Sequence, residues 1–106
     1  MVIAPTYLGN HNYAKYDEMK NILSEFLYKE DSITIDIDFL HTNELDVYMK
    51  DIAIPVLHDT KDIEEIDFQT KSKERIKKLI RIFKATMQVF GPVVQQDNFY
   101  IIKLYL

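Results

Sequence analysis

Three features of this sequence predict an α+β fold in which two main helices pack on a small antiparallel sheet. Apolar residues recur at helical spacing through residues 13–28 and 72–90. Ile33, Ile35, Ile37 and Phe39 alternate with polar residues as a half-buried strand requires, and the chain closes on an apolar segment, Phe99 to Leu106, suited to a sheet. With 106 residues, the length suits one domain spanning 1–106 and one hydrophobic core.

Taken in order, a short start at Val2–Leu8 leads to the turn-forming cluster Gly9-Asn10-His11-Asn12, either Asn of which suits a helix cap. From Tyr13 to Tyr28 the residues Tyr16, Met19, Leu23, Phe26 and Leu27 form one apolar stripe, the first helix. Ser32 to Phe39 reads as the clearest strand. Residues 43–51 fit both periods, since Leu45, Tyr48, Met49 and Ile52 suit a helix capped by Asn43 while Leu45, Val47 and Met49 suit alternation; the balance tips to a short helix. Ile52, Ile54 and Val56 then suggest an extended piece, placed at a sheet edge because Pro55 lacks the N–H that a central strand uses. His58–Asp67 reads as a polar loop.

The strongest helix runs from Ser72 to Phe90. Ile76, Leu79, Ile80, Phe83, Met87 and Phe90 lie on one side of it, and Gly91-Pro92 supplies a stop. Val93–Val94, a Gln95-Gln96-Asp97-Asn98 turn and Phe99–Leu106 complete a hairpin or one long terminal strand. Both faces of that last strand are apolar, so it is either central or covered by a partner.

Composition narrows the functional classes. Hydrophobic residues at 47% and charged residues at 28% describe a globular chain. Cysteine is absent, which excludes disulfides and thiolate metal sites and makes a reducing cytoplasm the expected compartment. No segment reaches the ~18 apolar residues of a membrane span, and Met1-Val2-Ile3-Ala4-Pro5 lacks the charged start of a signal peptide, so no membrane partner is expected. With only Gly9 and Gly91, no glycine-rich phosphate loop exists. No nucleophile elbow or triad order is present, and His11, His41 and His58 share no ligand spacing. The expectation is a chain that is not an enzyme, with no catalytic residue, metal or cofactor assigned. Its oligomeric state is left open.

Charge is the most informative property. The net charge of -4 conceals a separation, with residues 30–67 carrying two basic against twelve acidic side chains and residues 68–106 carrying eight basic against two acidic. Lys71, Lys73, Arg75, Lys77, Lys78, Arg81 and Lys84 crowd seven cations into fourteen positions, on the side of the helix away from Ile76, Leu79, Ile80 and Phe83. Lys73 and Lys77, and Lys77 and Arg81, stand four apart and repel by a few tenths of a kcal/mol each, roughly. The bland reading is a solvated face partly neutralised by the acidic middle segment; the functional one is a docking surface for an acidic protein or for phosphates. Lys73, Lys77, Lys78, Arg81 and Lys84 are the candidate partner- or nucleic-acid-binding residues, with Tyr100 added because Tyr48, Tyr100 and Tyr105 suit partly exposed interface positions.

The order of helix, strand, short helix, long basic helix and terminal hairpin resembles winged-helix proteins. That resemblance implies DNA binding, with phosphate contacts from Lys73, Lys77, Arg81 and Lys84 and affinity that falls with salt. Separately, Asp36 and Asp38, two apart on the expected strand, share a face and would suit Mg²⁺ or Mn²⁺ in nucleotidyl transfer. The text Ile33-Thr34-Ile35-Asp36-Ile37-Asp38 resembles the hydrophobic-Asp-hydrophobic-Asp strand of the archaeo-eukaryotic primase family, with His58 and Ile66-Asp67 loosely matching its later motifs. The chain falls well short of that family's two-part catalytic domain, and its activity is not carried over. The leading expectation is a non-catalytic binding module or accessory subunit that docks a protein partner, with nucleic acid second.

Overall fold

Period-two burial in the strands and a single buried stripe on the last helix generate a layer of helices on one face of a sheet. The computed structural model describes residues 2–3, 13–29, 33–60 and 63–106. The Gly9–Asn12 turn, with its caps, and His11 lie outside them. Strand β1 (Val2–Ile3) precedes helix α1 (Tyr13–Lys29), whose Leu23 and Leu27 are buried. Strand β2 (Thr34–Asp36) is followed by two 3₁₀ turns, Ile37–Phe39 and Thr42–Glu44. A nearly continuous helical run comes next: α2 (Leu45–Val47), a π-helical segment (Tyr48–Ala53) and α3 (Ile54–Asp59). Strand β3 (Glu65–Thr70) leads to α4 (Lys73–Ala85), and β4 (Val89–Phe90), β5 (Val94–Gln96) and β6 (Phe99–Tyr105) end the chain.

The expected α+β class, helices on a small sheet, is what the structure has. The sheet is mixed: it is antiparallel around β6, which pairs with β3, β4 and β5, whereas β1, β2 and β3 run parallel. Ile35 lies beside Phe68 and Phe68 beside Ile102, a row of fully buried residues across three strands. Onto it α4 lowers Ile76, Leu79, Ile82 and Phe83, with the Phe83 ring 5.7 Å from both Phe68 and Phe90. Next to α4 stands α2, and α1 rests against the π-helical segment and α3.

The β4 and β5 pieces follow one edge of β6 but out of step. Val89 opposes Tyr105 and Phe90 opposes Leu104, whereas Val94 opposes Ile101, so the stretch Gly91–Val93 holds one residue more than its partner, a β-bulge. A Cβ on Gly91 would sit 3.4 Å from the Tyr105 ring, which lies across the bulge. The hairpin turn is the two residues Asp97 and Asn98, with Asp97 at φ 56.

Several expectations need correcting. Strand β2 stops at Asp36, because the Asp36 carboxylate accepts the Asp38 N–H at 2.9 Å and turns the chain into a 3₁₀ bend; Phe39 is exposed instead of core-facing. Ile52–Val56 is helical, not an edge strand. Pro55 stands in the first turn of α3, and the wide π turn ahead of it, with the Ile54 N–H bonded to the Met49 carbonyl, avoids the usual proline clash. The run 43–51 is helical as favoured, although His41 and not Asn43 occupies the cap position of its first turn. The supposed loop His58–Asp67 contains the start of β3. Helix α4 ends at Ala85, before Gly91-Pro92, through paired bonds from Gln88 N–H to the Phe83 carbonyl and from Met87 N–H to the Lys84 carbonyl. Met87 is therefore 89% exposed and Ile82 takes its place in the core. The winged-helix alternative also gives way. A parallel pair of strands precedes the basic helix, which follows β3 and not a short turn from another helix.

Candidate partner-binding surface

Helix α4 presents its cations in an order set by its cap. The Ser72 hydroxyl accepts the Arg75 N–H, fixing the first turn, and burial of Ile76, Leu79, Ile82 and Phe83 fixes which side is wet. Lys73, Lys77, Arg81 and Lys84 then form an exposed row. Lys73 and Lys84 are eleven residues apart, ~16 Å along the axis.

The other three of the seven cations each contact a group of the chain itself. The Arg75 guanidinium donates to the carbonyls of Ile37 and Leu40 and lies 3.9 Å from Asp38. Lys78 Nζ donates to the Thr42 carbonyl at 2.6 Å. Lys71 Nζ sits 5.3 Å from the centre of the Phe99 ring, a cation–π contact on the uncovered side of the sheet. Within the exposed row Lys77 pairs with Glu74 at 3.8 Å on the same helix. Among the described residues no ion pair engages Lys73, Arg81 or Lys84. Lys78 thus remains beside the row with its head group held, and Tyr100 is half-buried, packed on the core and paired with Thr70 and Gln95.

Compared with family models, curated proteins and solved structures, the chain matches none.

The carboxylates that suggested a metal are occupied as braces. Asp36 accepts the Asp38 N–H and the Gln69 side-chain amide, the latter at 3.0 Å. Asp38, beyond the end of the strand, accepts the Thr70 hydroxyl with one oxygen and the Lys71 N–H at 2.7 Å with the other. The two do not share a strand face as expected. Instead they join the end of β2 to the end of β3, and Arg75 of α4 places a cation beside them. No cluster of three or more metal-binding side chains occurs among the described residues. His58 is far from this group, with its Nε2 2.8 Å from the Gln88 amide oxygen, and Asp67 lies beside Thr34 and Lys103 in the sheet, so the primase-like motif positions do not assemble.

One neighbouring feature was missed in the sequence. Lys50 and Asp46, on the π-helical segment and α2, line an open groove of about 320 Å³ with Lys78, Arg81, Ile82 and Ala85 of α4. Their spacing of four in a helix was the available signal. The outer side of the sheet bears on the expectation for the last strand. β6 is central, and on its uncovered face Phe99, Ile101 and Lys103 are half-buried while Tyr105 is 42% exposed, flanked by exposed Val89 and Val94. Lys103 donates to Glu65 at 3.1 Å, and that bond, helped by Asp67, raises its pKa. Tyr48, expected near the surface, is 2% exposed, and burial pushes its hydroxyl above the usual phenol range. No described helix is long and apolar enough to cross a membrane.

Proposed function

We propose that this chain is a non-catalytic binding module, or accessory subunit, that docks an acidic partner protein on the wet face of α4. One observation carries the reading: Lys73, Arg81 and Lys84 stand in an exposed row, and among the described residues no ion pair engages any of the three. Like charges at this spacing disfavour the helix, so a fold under selection for stability alone has reason to neutralise them. A protein partner fits better than a nucleic acid, because residues 30–67 carry a net -10 that repels an extended polyanion but leaves a local acidic patch free to engage.

The test is affinity purification of the chain from its native cell beside the triple variant Lys73→Glu, Arg81→Glu, Lys84→Glu, each with and without nuclease. Partners retained through nuclease treatment by the parent and lost by the variant support the reading. Retention that nuclease abolishes transfers the surface to nucleic acid, and equal retention by both proteins removes α4 from the interface.

A further inference from the structure

We infer that the groove between the π-helical segment and α4 is the seat for an acidic peptide segment bearing one apolar side chain, and so the specificity-determining part of the docking face. This inference rests on the proposed docking role of α4 and adds the chemistry of what is docked.

The groove has three cationic walls, Lys50, Lys78 and Arg81, against one carboxylate, Asp46. No ion pair joins them among the described residues, so an excess of two positive charges faces one concavity. Lys78 is prepositioned, since its bond to the Thr42 carbonyl holds the ammonium without neutralising it and leaves two N–H groups to donate. Arg81 adds a planar fork that matches a carboxylate in two bonds, whereas the lysines act as point charges.

Shape supplies the other half of the match. Ile82 and Ala85 supply the apolar part of the lining. A volume of about 320 Å³ is at the small end for a ligand site, enough for a side chain or two but not for a large cofactor. Lys50 reaches the groove from a π-helical turn, a local widening found often at functional sites. A lining that mixes apolar and cationic side chains suits acidic and aliphatic side chains in succession better than a sugar-phosphate backbone. Arg81 also belongs to the exposed row, which makes the groove continuous with the proposed docking face.

The probe is a fluorescein-labelled Glu-Glu-Leu-Glu-Glu peptide, with Glu-Glu-Gly-Glu-Glu and a duplex oligonucleotide as comparisons, titrated against the full chain by anisotropy. The leucine peptide should bind more tightly than the glycine one. Arg81→Ala and Lys50→Ala should each weaken it about tenfold, the scale of one charge-assisted hydrogen bond. Ala85→Phe fills the groove without altering charge and should weaken it comparably, an effect that general electrostatic attraction does not produce. Circular dichroism confirms that these surface variants fold. Equal affinity for both peptides, or an Ala85→Phe protein that binds as the parent does, overturns the groove. If Lys73→Ala and Lys84→Ala still weaken binding in that case, the docking role of α4 survives without it. A duplex preferred over both peptides overturns the inference and the acidic-protein reading together.

Discussion

Met87 is held at φ 58, a conformation that costs a residue with a Cβ roughly 1–2 kcal/mol. Its side chain is 89% exposed, so nothing is lost by removing it. Replacing it with glycine trades the steric strain for a more flexible unfolded chain, and Met87→Gly should stabilise by about 0.5–1 kcal/mol in urea unfolding. Tyr48 gives a pH signature. Its folded pKa is raised above the ordinary 10.0 by burial, so the unfolded state is the first to release the proton. The contribution is therefore complete below pH ~10 and disappears as pH rises beyond it, at about 1.4 kcal/mol per unit. Tyr48→Phe should lack that decline, and unfolding curves for the two proteins at pH 8 and near pH 11 measure the difference. Neither residue's role was legible in the sequence. Met87 fits the helical stripe of α4 by spacing, and only the bonds closing the helix two residues earlier eject it. Arg75 and Lys78 look like solvated cations because the groups that bind them are backbone carbonyls of Ile37, Leu40 and Thr42, which leave no mark in side-chain chemistry.

Among the elements, α4 separates stability from binding. Lys73 occupies the first turn, where a cation opposes the helix dipole and stands four residues before Lys77. Lys73→Glu reverses both effects and should raise stability by about 0.5 kcal/mol while weakening partner binding. Thermal melts and the affinity assay, run on one preparation, check whether the two move in opposite directions. The helices α1 and α4 were legible because each carries a stripe repeated over three turns or more. Strand β3 was not, although Ile66, Phe68 and Thr70 alternate with Asp67 and Gln69, because the alternation is short and sits in a run dense with charge. Ile52, Ile54 and Val56 misled for the opposite reason. Their spacing of two mimics a strand, while Met49, Ile52, Ala53, Val56 and Leu57 repeat at helical spacing and are buried together with Ile54.

At the scale of the whole molecule, β6 ties together segments distant in sequence. It pairs with β3 on one side and with β4 and β5 on the other, and it buries Ile102 and Leu104 beneath the helices. Deleting residues 99–106 takes away those three pairings at once and should leave a chain without cooperative unfolding, read by loss of a sigmoidal denaturation curve and of amide dispersion. The α+β class was visible from the periods of individual segments. Strand order was not, since parallel pairing of β2 with β3 depends on how the intervening helical run crosses the sheet. The candidate surface was half visible: the row of cations is a local pattern, but the groove beside it exists only because α2 is brought against α4.

The extra residue at Gly91–Val93 has a bearing on how this protein behaves when crowded. A second molecule adding itself along that border would meet two half-ladders in different phase, interrupted by a proline that offers no donor. Growth of ordered fibrils from the native state is thereby discouraged at this rim, and concentrated solutions should stay clear without any charge there being needed to keep them so.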